Sequence, residues 1–259
     1  MLNLACNQFG KDGPPFIIMH GLFGCSRNWA NIARAIAETH RVYALDLRNH
    51  GASPHSPSMR YQEMAEDVAE FMSTREIQNP VIMGHSMGGK VAMQLALQQP
   101  HLPKALIIVD IAPVTYGHDM LDYITAMQTL DLSGKQRRSE IEEELRDEVE
   151  EPGLTAFLMT NLERASEGFH WRINLQAIAA GMSGISSFPH RAGAAFHGPT
   201  AFIAGEYSGY IRDDHHDRMV ELFPRCRTVT IKKASHWVHS DQPDAFLETV
   251  RAFLGSIER

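Results

Sequence analysis

Val81-Ile82-Met83-Gly84-His85-Ser86-Met87-Gly88-Gly89-Lys90 is the stretch that decides how this chain folds. A short apolar run reads as a buried strand. It leads into Gly-x-Ser-x-Gly, after which Val91, Ala92, Leu95 and Ala96 recur at helical spacing until Pro100. A strand that turns sharply into a helix at a serine lifts the hydroxyl clear of the backbone. Glycines two residues to either side remove the Cβ atoms that would collide in so tight a turn. The sequence therefore predicts an exposed serine oxygen at the tip of a strand, with Ser86 as a candidate nucleophile.

Outward from this stretch the same rhythm repeats. Phe16 to Met19, Val42 to Leu45, Leu106 to Val109, Ala201 to Ala204 and Thr228 to Ile231 read as further strands. Their continuous apolarity fits a parallel sheet covered on both faces. Leu2 to Ala5 is expected to add an edge strand. Helices are expected from Ser26 as N-cap (Trp29, Ile32, Ala33 and Ile36 inward), around Met64, Val68, Phe71 and Met72, and after Asp241 as cap (Phe246, Leu247, Val250 and Phe253 inward). From about Val114 to Arg191 the pattern gives helices and no convincing strand. Ser139 with Glu142 resembles a capping box, and Pro152-Gly153 is expected to stop that helix. This predicts an α/β core over 1–113 and 192–259, with a helical cap or lid inserted at 114–191.

The chain has 259 residues, 44% of them hydrophobic and 21% charged, which is ordinary globular composition. Its net charge of −7 resides in Ser139 to Glu151, where eight acids meet one base, so the remainder sums to zero. No basic face is visible, which argues against a nucleic-acid partner. No apolar stretch reaches membrane-spanning length, and the N-terminal residues lack the pattern of a signal peptide. Cys6, Cys25 and Cys226 are an odd, scattered set that reads as reduced thiols in a cytoplasmic protein. His215-His216 among acids reads as a solvated helix start, not a metal site.

A serine nucleophile needs a base, an acid to orient it and donors for the oxyanion. His236, in Ala234-Ser235-His236-Trp237-Val238-His239, follows the last strand and is the expected base, with His239 the nearest competitor. His85, beside the serine, is expected to pack or to support the turn. Asp110, at the C-terminal end of a strand, is the expected acid. The other candidate place is the loop Gly205-Glu206-Tyr207-Ser208-Gly209-Tyr210. There Ser208 has no charge, and Glu206 is expected to point elsewhere. Met19-His20-Gly21-Leu22-Phe23-Gly24 is a glycine-containing turn at a strand end. The backbone N–H groups of Leu22 and Met87 are the expected oxyanion donors, with His20 and Gly21 in support. Arg48-Asn49-His50-Gly51 is expected to buttress that turn. A rival reading takes Gly84 to Lys90 as a nucleotide-binding loop, with Leu106 to Asp110 as its metal-binding strand. Val91 opposes it, because it stands where a metal-binding hydroxyl belongs.

These motifs, in this order, resemble the α/β-hydrolase superfamily over nearly the whole chain, and more narrowly the YbfF-type esterases. The resemblance rests on HGLFG (His20 to Gly24), DLRNHGAS (Asp46 to Ser53), GHSMGGK (Gly84 to Lys90), VDIAP (Val109 to Pro113), SGYI (Ser208 to Ile211) and HWVH (His236 to His239). Many members of the superfamily carry an aspartate where Ser208 stands. Its absence, together with Asp110, is a feature of the subgroup, which leaves Ser208 as a hydrogen-bonding helper. The resemblance implies a serine esterase acting on small acyl esters or thioesters through an acyl-enzyme, without a cofactor or metal, as a monomer or homodimer. Other serine hydrolases of the fold (lactonases, C–C bond hydrolases, perhydrolases) and a non-catalytic ligand-binding relative stand as the alternatives.

Overall fold

The computed structural model describes residues 1–117, 120–149, 151–166, 168–190 and 192–257; Glu150 of the acidic run and the boundary residue Arg191 lie outside them. In chain order the elements are β1 (Cys6–Phe9), β2 (Pro15–Met19), α1 (Ala30–Ile36), β3 (Arg41–Leu45), α2 (Tyr61–Thr74), β4 (Val81–His85), α3 (Met87–Gln98), β5 (Ala105–Val109), α4 (Leu121–Thr129), α5 (Arg138–Glu148), α6 (Pro152–Met159), β6 (Leu162–Ala165), β7 (Gly168–Trp171), α7 (Leu175–Ser186), β8 (Thr200–Gly205), α8 (His216–Leu222), β9 (Cys226–Ile231), α9 (Val238–Asp241) and α10 (Pro243–Ile257).

Seven strands form one sheet in the order β1-β3-β2-β4-β5-β8-β9. Only β1 runs antiparallel to its neighbour. Alternate side chains leave a strand on opposite faces, and both faces are buried along β2, β3, β4, β5 and β8, whereas the edge strands β1 and β9, the latter holding Thr228 to Ile231, are largely exposed. Ile17, Met19, Ile82, Leu106 and Ile108 pack on one side with Val68, Phe71, Val91 and Leu95 of α2 and α3. Phe16, Ile18, Met83, Ile107 and Val109 pack on the other with Ile32 and Ile36 of α1 and Phe246, Val250 and Leu254 of α10. Burial on both faces is why these strands read as unbroken apolar runs.

Several local expectations are corrected. The edge strand is Cys6–Phe9, not Leu2 to Ala5. Leu4 is buried instead, and the amides of Leu2 and Ala5 donate to the side chains of Asp67 and Ser53. Ser26 caps nothing: it opens a short 3-10 helix, Ser26–Trp29, and its Oγ accepts from Asn7 Nδ2. Ser139 lies inside α5, which starts at Arg138, and Pro152 opens α6 instead of ending α5. Asp241 closes α9 and accepts from Ser235 N at 2.7 Å, while the last helix begins at Pro243. The stretch expected to hold no strand contains the hairpin β6–β7, which pairs with nothing in the main sheet. His215 is buried rather than solvated, its ring edge-on to Tyr116.

Candidate active site

The expected site residues gather at the C-terminal ends of the parallel strands, where such sheets present their loops to ligands. Ser86 leaves β4 with φ 51° and ψ −118°, a backbone state a non-glycine residue reaches only under strain of about 1–3 kcal/mol. The neighbouring glycines permit it. A Cβ on Gly84 would stand 2.2 Å from Gly88 O, and one on Gly88 would stand 2.5 Å from His20 O. Met87 is the first residue of α3, so its N–H lacks an intrahelical acceptor. Leu22 sits in the turn closed by Gly24 N donating to Gly21 O. Leu22, Ser86, Met87 and His236 all line one cavity of about 460 Å³, within the range of small-ligand sites.

Asp110 ends β5 and is fully buried, also at positive φ (50°). Its Oδ2 accepts from His236 Nδ1 at 2.7 Å and from Ser208 Oγ; its Oδ1 accepts from Gly205 N at 2.9 Å. Three donors satisfy a carboxylate that water cannot reach. Glu206 is turned away, accepting from Lys233 N. The His236 ring lies between Tyr210, stacked at 4.1 Å between centroids, and His85 at 4.6 Å. His85 Nε2 donates to His236 O at 2.8 Å, which ties the residue before Ser86 to the backbone of the candidate base. Burial first, and the neighbouring His236 second, hold the His85 imidazole well below its usual range, so it stays neutral. His239 makes no such bond. It stacks on Trp29 at 3.9 Å, its buried Nδ1 finds no partner among the described residues, and burial lowers its pKa to about 4.

The turn from His20 to Gly24 is braced from below. His20 Nε2 accepts from Leu47 N at 3.0 Å and its Nδ1 donates to Gly21 O. His50 Nε2 accepts from Phe23 N, and its Nδ1 donates to Arg48 O. Burial depresses both imidazoles, that of His50 to about 3, as these neutral tautomers require. Arg48 is anchored in turn by Asp67 at 2.8 Å and Glu63 at 2.6 Å. Asn161 supports the turn from the other side, donating to Phe23 O at 2.8 Å. Nothing in the sequence signals that contact, because the two residues lie 138 positions apart.

Lys90 does not face an open loop, which removes the basis of the nucleotide reading. It is 1% exposed, and its Nζ donates to the carbonyls of Ser186 (2.9 Å), Ser187 (2.8 Å) and Ile185 (3.3 Å). Burial pushes the ammonium down to about 7. Among the described residues, no group of three or more His, Cys, Asp or Glu is placed to hold a metal ion. None of their helices is long and apolar enough to cross a membrane. The cysteines Cys6, Cys25 and Cys226 are free thiols.

A family model described as the alpha/beta hydrolase fold matches residues 14–243. The chain belongs to the α/β-hydrolase family. This α/β-hydrolase is 39% identical over 263 residues to the sn-1-specific diacylglycerol lipase ABHD11 of Mus musculus, covering 98% of this chain and 85% of that one. It is 34% identical to Esterase YbfF of Escherichia coli (strain K12) over 258 residues, 96% of each chain. A solved structure titled Marine microorganism esterase superposes with a TM-score of 0.94 at 37% identity, covering 98% of this chain and 100% of that one. The similarity therefore spans the seven-stranded sheet and the segment 114–191 alike.

Proposed function

We propose that this α/β-hydrolase cleaves acyl esters, thioesters included, through an acyl-enzyme on Ser86. One observation carries the reading: His236 Nδ1 donates to the buried Asp110 carboxylate at 2.7 Å, beside a cavity that holds the elbow serine. Committing that ring proton to Asp110 leaves Nε2 free of a proton in the neutral imidazole, and this is the nitrogen that acts as base.

Ser86 Oγ attacks the acyl carbonyl carbon while His236 Nε2 takes its proton. The carbonyl oxygen becomes an oxyanion, held by the N–H groups of Leu22 and Met87. Asp110 stabilises the imidazolium, and Ser208 helps hold the carboxylate in place. As the carbon–oxygen or carbon–sulfur bond breaks, the leaving alcohol or thiol takes the proton from His236. A water then gives its proton to the same histidine and attacks the acyl carbon; Ser86 leaves with the returned proton, and the acid is released. No step calls for a cofactor.

We further propose that residues 114–191 act as a lid on the core formed by 1–113 and 192–259. Tyr116, Met120, Leu154, Phe157 and Met182 of that segment line the cavity. The free cysteines suit a cytoplasmic setting.

A fluorophosphonate probe should label the protein at Ser86, and a panel of aryl esters, acyl-CoA thioesters, lactones and diketones should show ester or thioester turnover. Ser86→Ala should remove labelling and lower kcat by about 10⁵-fold. Labelling that persists in Ser86→Ala, or turnover confined to lactones or diketones, would overturn the reading.

A further inference from the structure

Lys90 is a buried cation that the proposed chemistry does not use. It lies four residues beyond Ser86, on the same face of α3, and it also lines the cavity. An ammonium out of water must be matched or it loses its charge. Lys90 is matched by the end of another element. The last carbonyls of a helix have no intrahelical donors and carry partial negative charge. At the end of α7, Lys90 Nζ takes the carbonyls of Ile185, Ser186 and Ser187. Tyr61 Oη adds a bond to Ile185 O at 2.8 Å, and Tyr116 N one to Ser186 O at 3.0 Å. The rings of Tyr116 and Tyr61 present their faces to the ammonium at 4.8 and 5.8 Å.

This junction fixes a wall. Met182 and Ile185 of α7 line the cavity together with Met87 and Ile111 of the core. Among the described residues no Asp, Glu or Arg lines the cavity, and Lys90 Nζ donates to three carbonyls.

We infer that Lys90 is a positioning residue for acyl-chain selectivity: by holding the C-terminal end of α7 against α3, it sets the room the cavity offers to the acyl chain. The inference rests on the esterase reading above.

The test compares p-nitrophenyl acetate and octanoate with the wild type, Lys90→Met, Lys90→Arg and Tyr61→Phe. In Lys90→Met the octanoate-to-acetate ratio of kcat/KM should fall about tenfold, carried by KM for octanoate. Lys90→Arg should recover part of the ratio. Tyr61→Phe, which removes a single bond to α7, should shift it by about two- to threefold in the same direction. Should Lys90→Met not fold, Tyr61→Phe decides alone. An unchanged ratio in the folded variants, or an equal loss on both esters, would overturn the inference while leaving the esterase reading intact. Failure of the wild type on both esters together with failure of fluorophosphonate labelling would instead remove the reading on which it rests.

Discussion

The floor of the cavity and its far wall are held by different kinds of bond. The floor is made of strand ends. Ser86 N donates to Val109 O and Asp110 N to Ile203 O, so the candidate nucleophile and the candidate acid are extensions of the sheet's own ladder. The wall is made of helices from 114–191 that meet the core by apolar packing and by separate hydrogen bonds, several of them from side chains onto backbone carbonyls. Lys90 and Tyr61 reach the end of α7, and Asn161 reaches Phe23 O. A ladder ending in buried strands tolerates little displacement, and this suits a reaction that depends on sub-ångström placement. Hydrogen bonds that stand apart from one another let single substitutions retune the wall without moving the floor.

The sharpest way to break this contrast is inside the floor. Asp110→Asn should lower kcat by about 10³- to 10⁴-fold, because the amide can donate where only acceptors fit. Ser208→Ala, which leaves the bonds from His236 and Gly205 to Asp110 in place, should cost about two- to tenfold. Steady-state kinetics on one ester with matched melting temperatures would check both. The reverse order would move the acid role away from Asp110.

Asn161 joins the two regions, so its removal tests whether they are coupled. Asn161→Ala leaves Phe23 O without that donor and should cost about 1–2 kcal/mol of stability. Because Phe23 follows Leu22, kcat should fall severalfold while KM stays near the wild-type value. Denaturant unfolding and kinetics on a short ester would measure the two effects. A stability loss with kcat unchanged would separate the wall from the oxyanion turn.

The remaining effect falls on stability alone and concerns the brace beneath the floor. The His50 imidazole is held at about 3, below its usual 6.5, so the unfolded chain binds the extra proton between those values. Stability from this group is fully present above pH 6.5 and is lost as pH falls toward 3. Unfolding free energies across that window should rise with pH, and His50→Gln should reduce the slope by about 1.4 kcal/mol per pH unit, one proton's worth. An unaltered slope would mean that His50 is not kept neutral by its place under the turn.

Much of the floor was legible before any coordinates. Apolar runs of strand length, the glycines around Ser86 and a late histidine are local signals. The residues also had to be of these types, because a sharp turn admits only small neighbours. The wall was far less legible. In the hairpin β6–β7 the strands are four residues each and the apolar–polar alternation is confined to Phe169-His170-Trp171, too short a run to mark a strand. Ser139 looked like a cap because a capping box is a short pattern, yet the helix starts one residue earlier.

The sequence by itself determined most of the strand-forming segments, the elbow at Ser86 and the chemical types available around it, since each follows from interactions among residues close in the chain. Only the tertiary structure decided which acid faces His236, that Ser208 serves Asp110, and that Lys90 closes the end of α7. Those choices depend on contacts between residues 126, 98 and 96 positions apart. Partners that far apart in the chain leave no mark on the residues between them, so local pattern cannot disclose them.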